Sequence, residues 1–395
     1  MLMDSSRPKH LLPTIVLAQF AGTALWFAGN AVIGDLQTAF QLDDRALGHL
    51  TAAVQLGFIS GTFLFALLSI ADRFSPSRVF LVSALLGAAF NWAFFAVAET
   101  LTGLLLFRFL TGFFLAGIYP VGMKIAADWH ERGLGKALGY LVGALVLGTA
   151  FPHLLKGFSQ TLPWKTILLL LSILAASGGI LLFFLVPDGP YRKKGSRFEW
   201  SAIYQIFRYR DFRAAAFGYF GHMWELYTVW TFLPVMMAYY SQLQGQTLNV
   251  ALWSFLIIAS GALACVLGGY ASLKWGSNRV AFFFLAISGT CCLLSPLFFW
   301  APPFLFLMAL LFWGFSVIGD SPQFSTIVAQ TAPPMYVGTA LTIVNCLGFA
   351  LTIGSIQLLN YLQSYWGNNP YLFLCLLPGP ILGLRATYRL LSHSA

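Results

Sequence analysis

Twelve apolar stretches follow one another along this chain, at about 11–33, 47–70, 79–98, 102–126, 137–157, 165–187, 213–238, 251–272, 280–300, 303–328, 338–362 and 370–385. Most run to roughly 20 residues, the length that crosses a hydrocarbon core about 30 Å thick. Only 9% of the 395 residues are charged and 58% are apolar. A soluble domain carries roughly 25% charge to cover its surface, so the natural solvent here is a bilayer. No small-residue cleavage site follows the first stretch, which therefore reads as a span and not as a removed signal.

The net charge of +9 invites a nucleic-acid reading, which the charge distribution excludes. With alternating spans and a cytoplasmic N-terminus, seventeen of the 22 Lys and Arg fall in cytoplasmic segments, among them Arg7, Lys9, Arg73, Arg78, Arg132, Lys136 and the cluster at 192–213. Arg45, Lys156 and Lys165 fall outside, while Arg108 and Lys124 lie within a span. That asymmetry follows the positive-inside rule and predicts both termini in the cytoplasm. All five cysteines, Cys265, Cys291, Cys292, Cys346 and Cys375, lie in predicted spans without a Cys-x-x-Cys pair. They read as buried apolar side chains, not as disulfides or zinc ligands.

The longest polar connection, "PDGPYRKKGSRFEWSAIYQIFRYRDFR", separates six spans from six. Its residues 200–207 have the pattern of a short amphipathic helix on the inner leaflet. The two halves share short similarities at a near-constant offset: GIYP with GDSP, GKAL with GTAL, Ser77-Arg78-Val79 with Asn278-Arg279-Val280, and Gly112 with Gly314. An offset of six spans keeps both halves in one orientation, a plan in which a central site lies between parallel repeats. The expected fold is an all-α membrane protein of twelve transmembrane helices in two parallel six-helix pseudo-repeats. Residues 1–187 form the first bundle, 188–212 a cytoplasmic linker and 213–395 the second bundle.

Two segments carry a family resemblance. "ADRFSPSR" after span two is similar to the Gly-x-x-x-Asp-Arg-x-Gly-Arg-Arg signature of the major facilitator superfamily, with Asp72, Arg73 and Arg78 in matching places. Leu68 stands where that signature has its leading Gly, and Ser75-Pro76 where a second Gly is usual. "RFLTGFFLAG" in span four resembles the family's Arg-x-x-x-Gly motif through Arg108 and Gly112. "GHMWELY" and "GDSPQFS" look like bacterial permeases loosely grouped with nitrate/nitrite and cyanate carriers, although spans two and eight lack the arginines of nitrate porters. The resemblance implies a cavity surrounded by helices 1, 2, 4, 5, 7, 8, 10 and 11. It also implies conformational roles for Asp72, Arg73, Arg78 and Gly112.

Charge inside a span costs about 2.5–3.5 kcal/mol on insertion scales, so residues that remain there face protein, water or cargo. They are Arg108 and Lys124 in helix 4, His153 in helix 5, His222 and Glu225 in helix 7, and Asp320 in helix 10. Arg108 and Glu225 are expected at similar depth on opposite halves, where they form an exchangeable pair. Arg108 then holds an anionic group while Glu225 takes a proton; the competing reading has Arg108 capping backbone or a carboxylate as part of its motif. His222 is one helical turn from Glu225 and tunes it; a metal reading needs further ligands, and His153 alone is available. Asp320 precedes Ser321 and Pro322, and Pro120 has the repeat-related place, so a kink or gate is expected at both prolines beside a plainly structural hydrogen bond for Asp320. Lys124 is expected to snorkel to the headgroups. Trp26, Asn30, Tyr119, Tyr227, Trp230, Gln323 and Asn345 complete the candidate solute site, with Gln19 and Trp224 as further companions. Gly139, Gly143 and Gly148 suit close packing between moving halves.

The reading that follows is a secondary transporter working by alternating access, proton-coupled, moving a small anionic or zwitterionic solute as a symporter. Its alternatives are a multidrug or metabolite proton antiporter that exports, and a non-transporting receptor or scaffold on the same fold. An enzyme is not expected, since no Gly-x-x-x-x-Gly-Lys-Ser/Thr, His-Glu-x-x-His or Gly-x-Ser-x-Gly motif occurs. The expected partners are the solute, protons and the bilayer, with no cofactor, metal or nucleic acid. The expected state is a monomer in a bacterial inner membrane.

Overall fold

The computed structural model describes residues 8–130, 134–158, 162–192 and 204–394. Arg7, Arg132, the basic residues at 193–197 and the first half of the expected surface helix, 200–203, lie outside these, as does the Lys136 side chain. Lipid offers the backbone no hydrogen-bond partner, so each crossing segment closes its own bonds as a helix.

Twelve passages result. In the first half, α1 runs in three pieces, Leu11–Thr23, Ala28–Ala31 and Ile33–Phe40. It is followed by α2 (Ala46–Leu67), α3 (Pro76–Ala96) and α4, itself in two pieces, Leu101–Leu115 and Tyr119–Trp129. Then come α5 (Leu134–Phe158) and α6 (Trp164–Leu185). The second half comprises α7 (Arg210–Gln244), α8 (Val250–Trp275), α9 (Ser277–Phe298) and α10 in two pieces, Pro303–Gly319 and Ser321–Thr331. It ends with α11 (Val337–Trp366) and α12 (Pro378–Thr387), the latter flanked by 3₁₀ turns Leu372–Leu376 and Tyr388–Ser394. Among the described residues nine helices are individually long and apolar enough to cross a membrane, namely α2–α6 and α8–α11. Of the other three, α1 and α12 are interrupted, and α7 is diluted by buried polar residues such as His222 and Glu225. An even number of passages leaves both termini at one end, called the terminal end below; the opposite one is the far end.

The breaks in α4 and α10 fall at repeat-related prolines. Pro120 and Pro322 lack the N–H that would bond one turn back, so each helix stops and restarts with proline in its first turn. Ahead of Pro120 the chain tightens, with Gly117 N–H bonding to Phe114 O and Ile118 N–H to Leu115 O, each at 3.0 Å. Both interruptions fall at the prolines where a kink or gate is expected.

Packing repeats as well. A Cβ on Gly57 of α2 would meet the backbone of Phe109, and one on Gly112 of α4 would meet the backbone of Val54. In the second half Gly314 of α10 stands against the backbone of Ile257 on α8, and Gly261 of α8 has Gly314 O 3.1 Å from its Cβ position. Absent side chains bring the two backbones together in each half, as small residues do in membranes. Replacing Gly112 with valine therefore forces α2 from α4. The variant is expected to lose about 1–3 kcal/mol, the usual cost of overpacking, read as a lower melting temperature in detergent. Gly269→Ala is the control, since its Cβ position meets nothing within 4 Å; equal melting of both variants refutes the packing account.

Candidate functional site

The halves meet through aromatic rings. Trp26, in the break of α1, stacks on Tyr227 of α7 (centroids 5.8 Å apart) and on Phe349 of α11 (5.6 Å), and leans on Phe58 of α2 (4.7 Å). Phe27 meets Trp230 edge-on at 6.3 Å, Tyr227 at 6.4 Å and His153 of α5 at 6.4 Å. Trp26, Tyr227 and Trp230, three candidates from the sequence, are thus brought into one buried cluster. Several ring nitrogens in it, Trp26 Nε1, Trp230 Nε1 and His153 Nε2, have no hydrogen-bond partner.

Beyond this layer the two ends differ. At the far end three amides of the second half reach backbone carbonyls of the first: Gln357 Nε2 donates to Gly48 O, Asn360 Nδ2 to Arg45 O and Asn249 Nδ2 to Gly157 O, each at 3.1 Å. At the terminal end a cleft of about 340 Å³ opens between the halves, lined by Thr62, Ser69, Asp72, Pro120 and Lys124 on one side and Gly338, Thr339 and Thr342 on the other. Along α5 and α8 the halves stay in contact, with Cβ positions of Gly139 and Gly143 lying 3.7 and 3.5 Å from the carbonyls of Cys265 and Ala262. Gly148 instead faces α1, at Phe20 and Thr23.

Arg108 does not make the expected pair with Glu225. Its guanidinium lies fully buried inside the first half, donating to Leu25 O (3.1 Å), to Trp26 O and to Asn91 Oδ1 (3.4 Å), with Phe94 packed 5.6 Å from its centre. The two carbonyls belong to the turn that interrupts α1, where Leu25 O otherwise accepts only a long 3.5 Å turn bond from Ala28 N–H. A planar fork suits two neighbouring acceptors, so Arg108 caps the α1 break and fixes the backbone that presents Trp26. This is the backbone-capping alternative.

Glu225 also departs from expectation. It is sealed within the second half, where its Oε1 accepts from Ser288 Oγ of α9 and from Trp313 Nε1 of α10, both at 2.7 Å. Its Oε2 has no partner. Neither it nor His222 faces the cleft: each is about 1% exposed. His222 Nδ1 lies 2.8 Å from Asp320 Oδ1 at the break in α10, so its polar partner is Asp320 and not Glu225. The reason is local: α7 turns this face toward α9 and α10, where donors are available, and turns Tyr227 and Trp230 toward the other half.

The remaining candidates fall into place individually. Asn30 donates to Thr51 Oγ1 at 2.8 Å, and Asn345 accepts from Tyr219 at 2.9 Å. Tyr119 begins the second piece of α4, and Gln323 is buried in the first turn after Asp320. Gln19 is buried without a partner, and Trp224 Nε1 donates to Cys375 O at 3.3 Å, inside the second half. Lys124 does not snorkel: it pairs with Asp72 at 2.9 Å and Asp128 at 3.6 Å. Arg73 and Arg78 are exposed, and Arg192 donates to the carbonyls of Asp72 and Phe74. Phe58, Phe349, Ser288 and Trp313 were not singled out by sequence reasoning, since nothing distinguishes them among 38 Phe and 12 Trp or among ordinary serines. Among the described residues no three His, Cys, Asp or Glu group as metal ligands.

A sequence profile described as Major Facilitator Superfamily matches residues 15–355. Two curated relatives are the 3-(3-hydroxy-phenyl)propionate transporter of Escherichia coli and the niacin transporter NiaP of Acinetobacter baylyi. The first is 28% identical over 46% of this chain and 44% of that protein, the second 32% identical over 36% and 37%. The chain thus spans less than half the length of each curated relative it matches. Among solved structures, the proton:xylose symporter XylE bound to 6-bromo-6-deoxy-D-glucose aligns with a TM-score of 0.73 at 14% identity, covering 98% of this chain and 97% of that one.

Proposed function

The chain belongs to the Major Facilitator Superfamily and is a membrane transporter, and from that premise we propose proton-coupled movement of a small anionic or zwitterionic solute by alternating access. One observation carries the reading. Amide-to-carbonyl bonds between the halves close the far end, while the terminal end opens into a cleft. An opening on one side that ends just short of a layer built by both halves suits a partly closed state of an alternating carrier. The terminal end is assigned to the cytoplasm of a bacterial inner membrane on the strength of the Lys and Arg bias. The moving bodies are residues 1–187 and 213–395, joined through 188–212.

Protons are assigned to the second half. Glu225 holds two donors on one carboxyl oxygen and leaves the other unpartnered, so a proton on Oε2 comes and goes without breaking either bond. The His222–Asp320 pair, at the α10 break, links a second carboxylate to the hinge that Pro322 creates. Trp26, Asn30, Tyr119, Tyr227, Trp230, Gln323 and Asn345 stand nearest the solute in this reading, and Asp72, Arg73, Arg78, Gly112, Pro120 and Pro322 serve the conformational change. Arg108 acts by shaping α1 and not as the anion's counter-ion. An anionic solute agrees with one relative's name, 3-(3-hydroxy-phenyl)propionate being a carboxylate.

Reconstitution into liposomes tests the reading. Loaded with unlabelled solute, they are expected to exchange it for labelled solute outside, and a pH gradient is expected to drive accumulation. A ligand bound by the purified protein but never carried across overturns the proposal.

A further inference from the structure

We infer that the solute is a flat aromatic molecule bearing a hydrogen-bond acceptor, held between Trp26 of the first half and Tyr227 and Phe349 of the second. The inference rests on the carrier reading above and names the chemical class of its cargo.

The argument begins with the unpartnered nitrogens. A buried tryptophan N–H ordinarily finds an acceptor, and leaving a buried donor unsatisfied costs about 1–3 kcal/mol. Trp26 and Trp230 are 0% and 1% exposed, His153 is 2% exposed, and each has an unpartnered ring nitrogen. The three side chains belong to one continuous set of ring contacts through Tyr227 and Phe27. Phenylalanine would pack these positions without the penalty. Both tryptophans can only donate, so what satisfies them must accept.

Shape follows from the faces. Trp26 lies within 27° of parallel to Tyr227 and within 29° of parallel to Phe349. Two faces admit a third ring when they stand roughly 7 Å apart, twice the carbon contact distance of about 3.5 Å. The present 5.8 Å between the Trp26 and Tyr227 centroids means that the halves part before the ring enters. Each face belongs to a different half, so an inserted ring replaces a contact that crosses between them. The cleft stops short of the layer: Phe58 lies four residues beyond Thr62 on α2, about 6 Å along the helix.

Binding to the detergent-purified full chain, read by tryptophan fluorescence and by thermal shift, tests the class. The probes are benzoate and benzamide, which join a ring to an acceptor, and cyclohexanecarboxylate, which keeps the acid without the aromatic face. At least one aromatic probe is expected to bind tenfold or more tighter than cyclohexanecarboxylate. Trp26→Phe, which keeps a face and loses the N–H, is expected to weaken that probe about fivefold, and Trp26→Leu further. Should Trp26→Leu fail to fold, Phe349→Leu removes the opposite face and is expected to weaken binding likewise. Cyclohexanecarboxylate binding as tightly as both aromatic probes, no binding of either aromatic probe, or unchanged affinity in the folded variants overturns the inference. Flux separates it from the carrier reading. Liposomes that move a non-aromatic solute while the aromatic probes fail retain the carrier and lose the class. Benzoate that binds through Trp26 but is never carried across retains the ring site and loses the carrier.

Discussion

Replacing Arg108 with alanine is expected to destabilise the purified protein by roughly 3 kcal/mol or more, since hydrogen bonds from a charged group contribute about 1.5–3 kcal/mol each. The guanidinium donates to Leu25 O and to Trp26 O in the interrupted part of α1, where Leu25 O also accepts a long 3.5 Å bond from Ala28 N–H. Its removal takes the guanidinium donor from Trp26 O and leaves Leu25 O with only the long bond from Ala28 N–H. Lysine, a point charge without a fork, is expected to restore part of the loss. Asn91→Ala removes the longer 3.4 Å contact to Arg108 together with Asn91's own bonds to Leu168 O and Ser172 Oγ. It leaves the guanidinium on both α1 carbonyls, so the turn that presents Trp26 is expected to stay in place. The measurement is thermal unfolding in detergent. An alanine variant that melts with the wild type shows that the α1 break holds itself.

Glu225→Gln is expected to abolish accumulation driven by a pH gradient while counterflow exchange persists. One pH unit is worth about 1.36 kcal/mol per proton, enough to hold a solute at about tenfold excess, and that excess is what the variant loses. Glutamine keeps a carbonyl oxygen for Ser288 and Trp313, the two donors that hold Glu225, so the fold is retained while the exchangeable proton is not. Uptake that still follows the gradient in this variant moves the coupling role away from Glu225, to Asp320 and His222. Loss of counterflow as well as gradient response assigns Glu225 a part in the carrier's motion instead.

The fold was legible because lipid leaves the chain few options. Length and hydropathy locate the passages, the Gly112 and Gly314 correspondence marks the packing that repeats, and Pro120 and Pro322 mark the two kinks. The α1 break carries no such sign. Residues 24–27 contain neither proline nor glycine, and the turn stands because a side chain 82 residues away in sequence reaches its carbonyl. The destination of Glu225 was hidden for a related reason. Position along a helix gives depth, but which neighbour a side chain faces depends on the helix's rotation and on a serine and a tryptophan in α9 and α10. The ring layer shows the same limit, since stacking partners come from α1, α2, α7 and α11 and no single segment contains the pattern.

The contacts that shut the far end have a consequence for how the transporter senses its surroundings. Each joins a neutral amide side chain to a main-chain oxygen. No formal charge takes part, so neither acidity nor ionic strength on that face alters the latch directly. In the proton-coupled reading proposed above, what unlocks it comes from within, through cargo and protons already taken up.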